Sequence, residues 1–212
     1  MTEQTKNDKA NVSLGKPCVI GGVYYAPLGT ALPKDAKTPL TEAYKCLGFI
    51  SEDGLTNSTD TDTTEVKEWG GSTVLKEISS YSETYQFAML EIKADSMKLR
   101  YGADNVTESA GSLHILHGMP KDEHYVVVFE IMLTGNRKQR LVLPDASVVE
   151  YDDITYSAGD PITYSVTLSA NPSKLIGGKT VDDYIEPMPA SVSSVSASTN
   201  SGSQATGSTV QQ

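Results

Sequence analysis

Three histidines, His114, His117 and His124, stand with Asp122 and Glu123 in one short stretch and are the first candidates for metal chemistry. His114 and His117 are three residues apart. On a helix that spacing places two ligands on one face. In a strand it sends them to opposite faces, and the surrounding sequence is strand-like, so no metal site is expected. Asp60, Asp62 and Glu65 offer carboxylates, but without the glycine and the ligand spacing of a calcium loop. A solvated acidic segment is the simpler reading. Nothing matches a nucleophile elbow, a phosphate-binding loop or a dinucleotide fingerprint. No serine, aspartate and histidine are spaced as a triad. Trp69 beside Gly70 and Gly71 could offer a platform to a sugar, although a single tryptophan more often serves a core or an interface. Arg137, Lys138 and Arg140 cluster near a turn, without the interleaved aromatics of a nucleic-acid surface. They read as a charged edge or tip, or as a contact to an acidic neighbour. No catalytic residue, cofactor or metal is expected.

The 212-residue chain is long enough for one large or two small domains. It carries 17 Lys plus Arg against 27 Asp plus Glu, a formal charge of −10. Phosphate binding rests on Lys and Arg releasing counterions, so this balance argues against wrapping nucleic acid. It would suit a channel that nucleic acid passes without sticking, or simply keep the protein soluble. Cys18 and Cys46 lie in apolar, strand-like runs and read as core thiols rather than a disulfide. The N-terminal stretch has no apolar signal region. No apolar run approaches the roughly 18 residues of a membrane span.

The elements that must position these groups are mostly strands. Residues 1–17 hold little to bury and read as a flexible arm. Strands are expected at Cys18–Tyr25, Tyr44–Ile50, Glu65–Trp69, Val74–Ile78 and Ser82–Lys93. In the last, Tyr85, Phe87 and Met89 share one face. Between the second and third, Ser51–Thr64 reads as an acidic loop, longer than most hairpin connections. Pro27, Pro33 and Pro39 mark an extended loop. One short helix is expected over 94–101, with Asp95 or Ser96 as N-cap and Gly102 after its last turn. Ser112–His117, His124–Leu133, Lys138–Leu143, Ala146–Tyr156 and Ile162–Ala170 complete the strands, with Pro144 and Asp145 breaking the run between two of them. From about residue 187 the chain is Ser/Thr/Gly-rich and reads as a disordered tail. The fold class is mainly β: a β-sandwich or barrel with one short flanking α-helix, extended loops and flexible termini. Residues 18–186 form its single β domain.

Three stretches in this order resemble the major tail tube proteins of long-tailed, non-contractile bacteriophages. They are Tyr25-Ala26-Pro27-Leu28-Gly29-Thr30-Ala31-Leu32-Pro33, Leu47-Gly48-Phe49-Ile50-Ser51-Glu52-Asp53-Gly54 and Glu65-Val66-Lys67-Glu68-Trp69-Gly70-Gly71. Phe87–Glu91, the helix ending at Tyr101-Gly102 and Tyr164–Leu168 continue the likeness, over about residues 18–172. The resemblance implies a non-catalytic virion protein whose hexameric rings stack into a tube, an architecture shared with type VI secretion tubes. The genome would pass through the bore into the host without specific binding. Its implied partners are further copies of itself, the tape measure protein, the tail terminator and distal tail proteins, with no membrane. Assembly would take place in the host cytoplasm. Ser51, Glu52, Asp53, Leu55, Thr56, Asn57, Asp60 and Asp62 are then expected to contact the neighbouring ring. Pro27, Leu28, Leu32 and Trp69 are expected at other subunit contacts, and acidic residues are expected to outnumber basic ones on the bore. The alternative from residue types alone is a β-sandwich binding module, an adhesin or carbohydrate-binding domain with Trp69 or tyrosines as platform. The missing secretion signal counts against it.

Overall fold

A computed structural model of the chain describes residues 7–18 and 21–188. The expected C-terminal tail lies almost wholly outside the described residues, as do residues 1–6 of the expected arm. The architecture is mainly β, one antiparallel nine-stranded sheet with a separate two-stranded hairpin and one α-helix. The strands of the large sheet are β1 (Gly15–Pro17), β2 (Val23–Pro27), β3 (Lys45–Cys46), β4 (Ile50–Lys67), β5 (Thr73–Met89), β8 (His124–Leu133), β9 (Arg137–Tyr151), β10 (Tyr164–Ala170) and β11 (Asp182–Pro187). β6 (Val106–Ser109) pairs with β7 (Ser112–Ile115). The main path of the sheet is β3-β2-β8-β9-β10-β5-β4, with β1 beside β8 and β11 beside β9. Strand β1 thus begins inside the stretch that the sequence assigns to a flexible arm.

β8 is central because its run from Tyr125 to Phe129 is apolar at every position. Such a run can be buried on both faces of a sheet. Val127 and Phe129 enter the main core with Tyr85, Phe87, Met89, Leu143, Val166 and Leu168. Val126 and Val128 face the other way, into a second cluster with Ala26, Tyr44 and Val142. Phe129 stacks on Tyr85 at 5.4 Å and meets Phe87 edge-on at 5.6 Å. Tyr85, Phe87 and Met89 all point inward, as their period of two requires.

The helix α1 spans Ala94–Tyr101, with Asp95 in its first turn and Lys98 and Arg100 in its last, the arrangement that favours the helix dipole. Gly102 follows with φ +88°, ψ 145°, a backbone pair open almost only to glycine. The N-cap differs from expectation. It is Lys93, without a side-chain bond, because the Ser96 hydroxyl donates to the Leu47 carbonyl at 2.8 Å and locks the helix onto the β3–β4 connection.

Several strand boundaries differ from the sequence reading; the expected Val74–Ile78 and Ser82–Lys93, for instance, are one strand, β5. The expected strand at 44–50 is cut after Cys46 by Gly48 (φ +88°), where a Cβ would sit 2.4 Å from the Glu91 carboxylate. That carboxylate accepts the Phe49 amide at 2.8 Å. The expected strand at 18–25 is seen as Val23–Pro27, with Val19 and Ile20 outside the described residues. β9 runs straight through Pro144 and Asp145. Between the pairs Val127–Leu143 and Tyr125–Ala146 it carries one residue more than β8, so the proline, which cannot donate to a ladder, sits at a bulge. Ser51–Thr64 is not a loop but most of β4.

Candidate assembly surface

β4 and β5 pair from Leu55–Phe87 out to Lys67–Thr73, through register shifts at Asp62/Thr63 and Val66/Lys67. The core-facing side chains end at Tyr85. Every residue from Thr56 to Ser82 is exposed, on both faces of the ladder. The hairpin therefore leaves the body as a two-stranded arm. Its sequence explains why it is strand without being core. Thr56, Thr59, Thr61, Thr63, Thr64 and Val66 are β-branched and favour extended backbone. At the tip the Glu68 amide donates to the Ser72 carbonyl and the Gly71 amide to the Glu68 carbonyl, both at 2.9 Å, and Trp69 stands wholly exposed at 106 %.

Alternation sorts the arm into two faces. Thr56, Ser58, Asp60, Asp62, Thr64 and Val66 share one face with their register partners Gln86, Thr84, Ser82, Ser80, Glu77 and Leu75. It is a hydroxyl and carboxylate surface closed by a Val66–Leu75 pair near the tip. Ser80 donates to Asp62 across it at 3.0 Å. The opposite face carries Asn57, Glu65 and Lys76, with Ile78 and Tyr81 exposed beside them, and Lys76 pairs with Glu65 at 2.9 Å. Over residues 56–82 five carboxylates stand against two lysines. A cleft of about 970 Å³ opens where this second face leaves the body. Leu55, Asn57, Tyr81, Glu83 and Tyr85 line one wall, and Ile131, Leu141, Val181 and Asp183 are among those on the other.

Glu83 stands at the root of the arm. Its Oε1 accepts from the Tyr85 hydroxyl at 2.6 Å and from Asn57 Nδ2 at 2.9 Å. Its Oε2 accepts from the Thr180 hydroxyl at 2.8 Å and the Tyr81 hydroxyl at 3.2 Å. Burial pushes the carboxyl pKa up, but the bonds from Tyr85, Thr180, Asn57 and Tyr81 outweigh it and hold it below the ordinary value.

A second anchor fixes the proline-rich segment between β2 and β3. Arg140, read from the sequence as part of a charged edge or tip or as a contact to an acidic neighbour, is 1 % exposed in the middle of β9. Its Nε donates to Glu130 at 2.8 Å, and its outer nitrogens donate to the carbonyls of Asp35 at 2.6 Å and Thr38 at 2.9 Å. Lys138 closes on the other Glu130 oxygen. The basic cluster thus pins a long connection over the second apolar cluster, to which Leu32 and Leu40 also pack. Of the cluster only Arg137 reaches towards the N-terminal stretch, through Ser13.

The expected contact residues fall in three places. Thr56, Asp60 and Asp62 lie on the hydroxyl–carboxylate face of the arm, Asn57 opposite, and Trp69 at the tip. Ser51, Glu52 and Asp53 precede the arm, with the Ser51 hydroxyl donating to Asp53 at 3.2 Å, and Leu55 is half-buried against the main core. Pro27 ends β2, Leu28 is exposed, and Leu32 is half-buried in the pinned segment. The arm brings the first group together; Pro27, Leu28 and Leu32 belong to a different region. The Glu83–Thr180 link and the bonds from Arg140 to the Asp35 and Thr38 carbonyls carry no local sequence signal, because their partners lie far along the chain.

The histidines do not meet as ligands. His114 is exposed on β7, and His117 lies 4.6 Å from the Tyr101 ring. Among the described residues no group of three or more His, Cys, Asp or Glu could hold a metal. No helix there is long and apolar enough to cross a membrane. His124 Nδ1 bonds Asp145, which also accepts Asn171 Nδ2 at 3.1 Å. The bond to Asp145 raises the His124 pKa above its usual 6.5, and the nearby charges of Asp145 and Asp122 add to it. A raised folded-state pKa gives stabilisation that is complete below the unfolded value of 6.5 and is lost as pH rises through the folded value. His124→Asn is expected to flatten the fall in melting temperature between about pH 6 and 8. An unchanged slope would show that the pair contributes nothing to it.

A compact β body with one flanking helix and a long protruding β arm is now in view, and sequence comparison places it. Residues 7–174 match the phage tail tube protein family. The chain belongs to that family. It is a structural subunit of a tail tube and a component of the virion tail. No curated protein matches it. Among solved structures, the tail of an empty GTA particle, solved with helical refinement in C6 symmetry, is similar at 10 % identity and a TM-score of 0.35, covering 78 % of this chain and 93 % of that one. The tube–sheath complex of PVC, an extracellular contractile injection system, in its extended state, gives 9 % identity and a TM-score of 0.36, covering 79 % and 90 %.

Proposed function

We propose that this tube subunit assembles into stacked rings, six copies to a ring, in the tail of a long-tailed, non-contractile phage. The observation that carries this reading is the arm. Residues 56–82 are exposed on both faces and display Val66, Trp69, Val74, Leu75, Ile78 and Tyr81, which the other described residues leave exposed. A two-stranded ladder without a buried face is marginal in water by itself. Contact with neighbouring copies gives it that face. β4 is also a terminal strand of the sheet, and ring formation offers its open edge a partner. Ser51–Asp62 would meet the adjacent ring, and Pro27, Leu28, Leu32 and Trp69 would serve other contacts between subunits. The chain would have no catalytic role. Its acidic surface would line a bore that DNA crosses without specific binding, since phosphates find few cations to pair with. The tape measure, terminator and distal tail proteins would complete the assembly in the host cytoplasm.

Negative-stain microscopy of the purified chain tests the reading. Rings and tubes with sixfold end views are expected. Dispersed monomers at every concentration would turn the reading towards a β-sandwich binding module. A high-resolution tube with a bore rich in Lys and Arg would remove the conduit argument alone.

A further inference from the structure

The ladder between β5 and β10 holds the base of the arm as far as Thr84, paired with Ser169, and beyond it the arm's direction rests on little. From Thr56 to Ser82 no side chain bonds to any part of the subunit outside the hairpin, among the described residues. The cleft beneath the arm's root leaves one side of it without packing. The outermost polar link to the body is Thr180 donating to Glu83. The two residues are 97 apart in sequence, so the link is wholly a product of the fold.

Thr180 is held firmly. The Ser173 amide donates to the Lys179 carbonyl at 2.9 Å and the Gly178 amide to the Ser173 carbonyl at 2.8 Å, which closes a tight turn around residues 174–178. Val181, the next residue, packs against the main core. On the other side the same carboxylate ties Asn57 of β4 to Tyr81 and Tyr85 of β5. One charged group therefore joins both strands of the arm to a fixed point on the body.

We propose that the Thr180–Glu83 hydrogen bond is a positioning latch. It sets the angle at which the arm leaves the subunit and so its readiness to meet a second copy. Glu83 and Thr180 are positioning residues here; neither need touch the neighbour. The proposal rests on the reading that the arm makes the contact between copies. A hydrogen bond to a charged group is among the stronger non-covalent links, and its loss lets the arm sample angles that cannot dock.

Trp69 is the only tryptophan of the chain and sits at the arm tip, so its fluorescence reports the arm directly. Time-resolved anisotropy is measured on unassembled wild type, Thr180→Val, Thr180→Ser and Glu83→Gln, and tube growth is followed by light scattering and microscopy. Thr180→Val and Glu83→Gln are expected to lower the residual anisotropy. Thr180→Val should also slow tube formation roughly tenfold, the factor that follows from losing one such bond, while the body stays folded with a melting temperature lowered by only about 2–5 °C. Thr180→Ser keeps the hydroxyl and should behave as wild type. Wild-type anisotropy in Thr180→Val overturns the latch. Wider arm motion with a normal assembly rate overturns its role in docking. Wild-type protein that never forms tubes overturns the underlying reading of the arm, and the anisotropy comparison then still decides the latch.

Discussion

Replacing Arg140 with methionine is expected to destabilise the subunit by about 3 kcal/mol or more, the cost of removing one partner from a buried ion pair. Methionine nearly preserves the stem volume, so the loss falls on the polar end. Glu130, itself 5 % exposed, keeps only Lys138. The carbonyls of Asp35 and Thr38 lose their donors. Unmade bonds at buried acceptors cost more than the same bonds add when made. Urea unfolding would show a lower midpoint with an unchanged slope. Limited proteolysis should meanwhile open sites within residues 27–44. The double variant Glu130→Leu/Arg140→Met should recover part of the loss, because it also removes the stranded charge. A single variant within about 0.5 kcal/mol of wild type, the range of ordinary surface changes, would show that the network is not a structural node.

Excising the arm is expected to have the opposite signature. Joining Asp60 to Ser82, which are register partners, through Asn-Gly keeps the inner ladder and closes it with a turn suited to its twist. Every residue removed is exposed, so the melting temperature should move by no more than about 2 °C. Tube formation should be abolished. The cut must be symmetric. Removing only Thr56–Asp62 would strip one side of the ladder and slip the register of what remains. Tubes of normal appearance from the excised protein would place the inter-ring contact elsewhere.

What could be read from the sequence followed the buried faces. β8 declared itself because five consecutive apolar residues have no other economical place than a strand covered on both sides. The Tyr85, Phe87, Met89 alternation marked an inward face, and the dipole-matched charges with Gly102 marked the helix within its observed bounds. The Ser51–Thr64 part of β4 escaped because the usual strand signal is a contrast between a wet and a dry face, and the arm has two wet ones. Its threonines were the only local clue. β11 was missed for a related reason: its pattern alternates only between exposed and half-buried positions, and it forms by pairing with β9 at Val142–Arg137, some forty residues away. For the basic cluster a contact to an acidic neighbour was legible, and Glu130 is that neighbour, but its burial was not, because periodicity says nothing about a carbonyl 105 residues distant such as that of Asp35.

The composition of β4 has one more effect. An eighteen-residue strand at the end of a sheet is a template onto which any strand of suitable length can crystallise. Glu52, Asp53, Asp60, Asp62 and Glu65 are strung along it. When two identical edges approach, carboxylate meets carboxylate, and the pairing most available in a crowded cell becomes the least favourable one. A differently charged edge meets no such barrier. The acidic arm thus works as a colloidal stabiliser, keeping free subunits from running into fibres while leaving an unlike partner welcome.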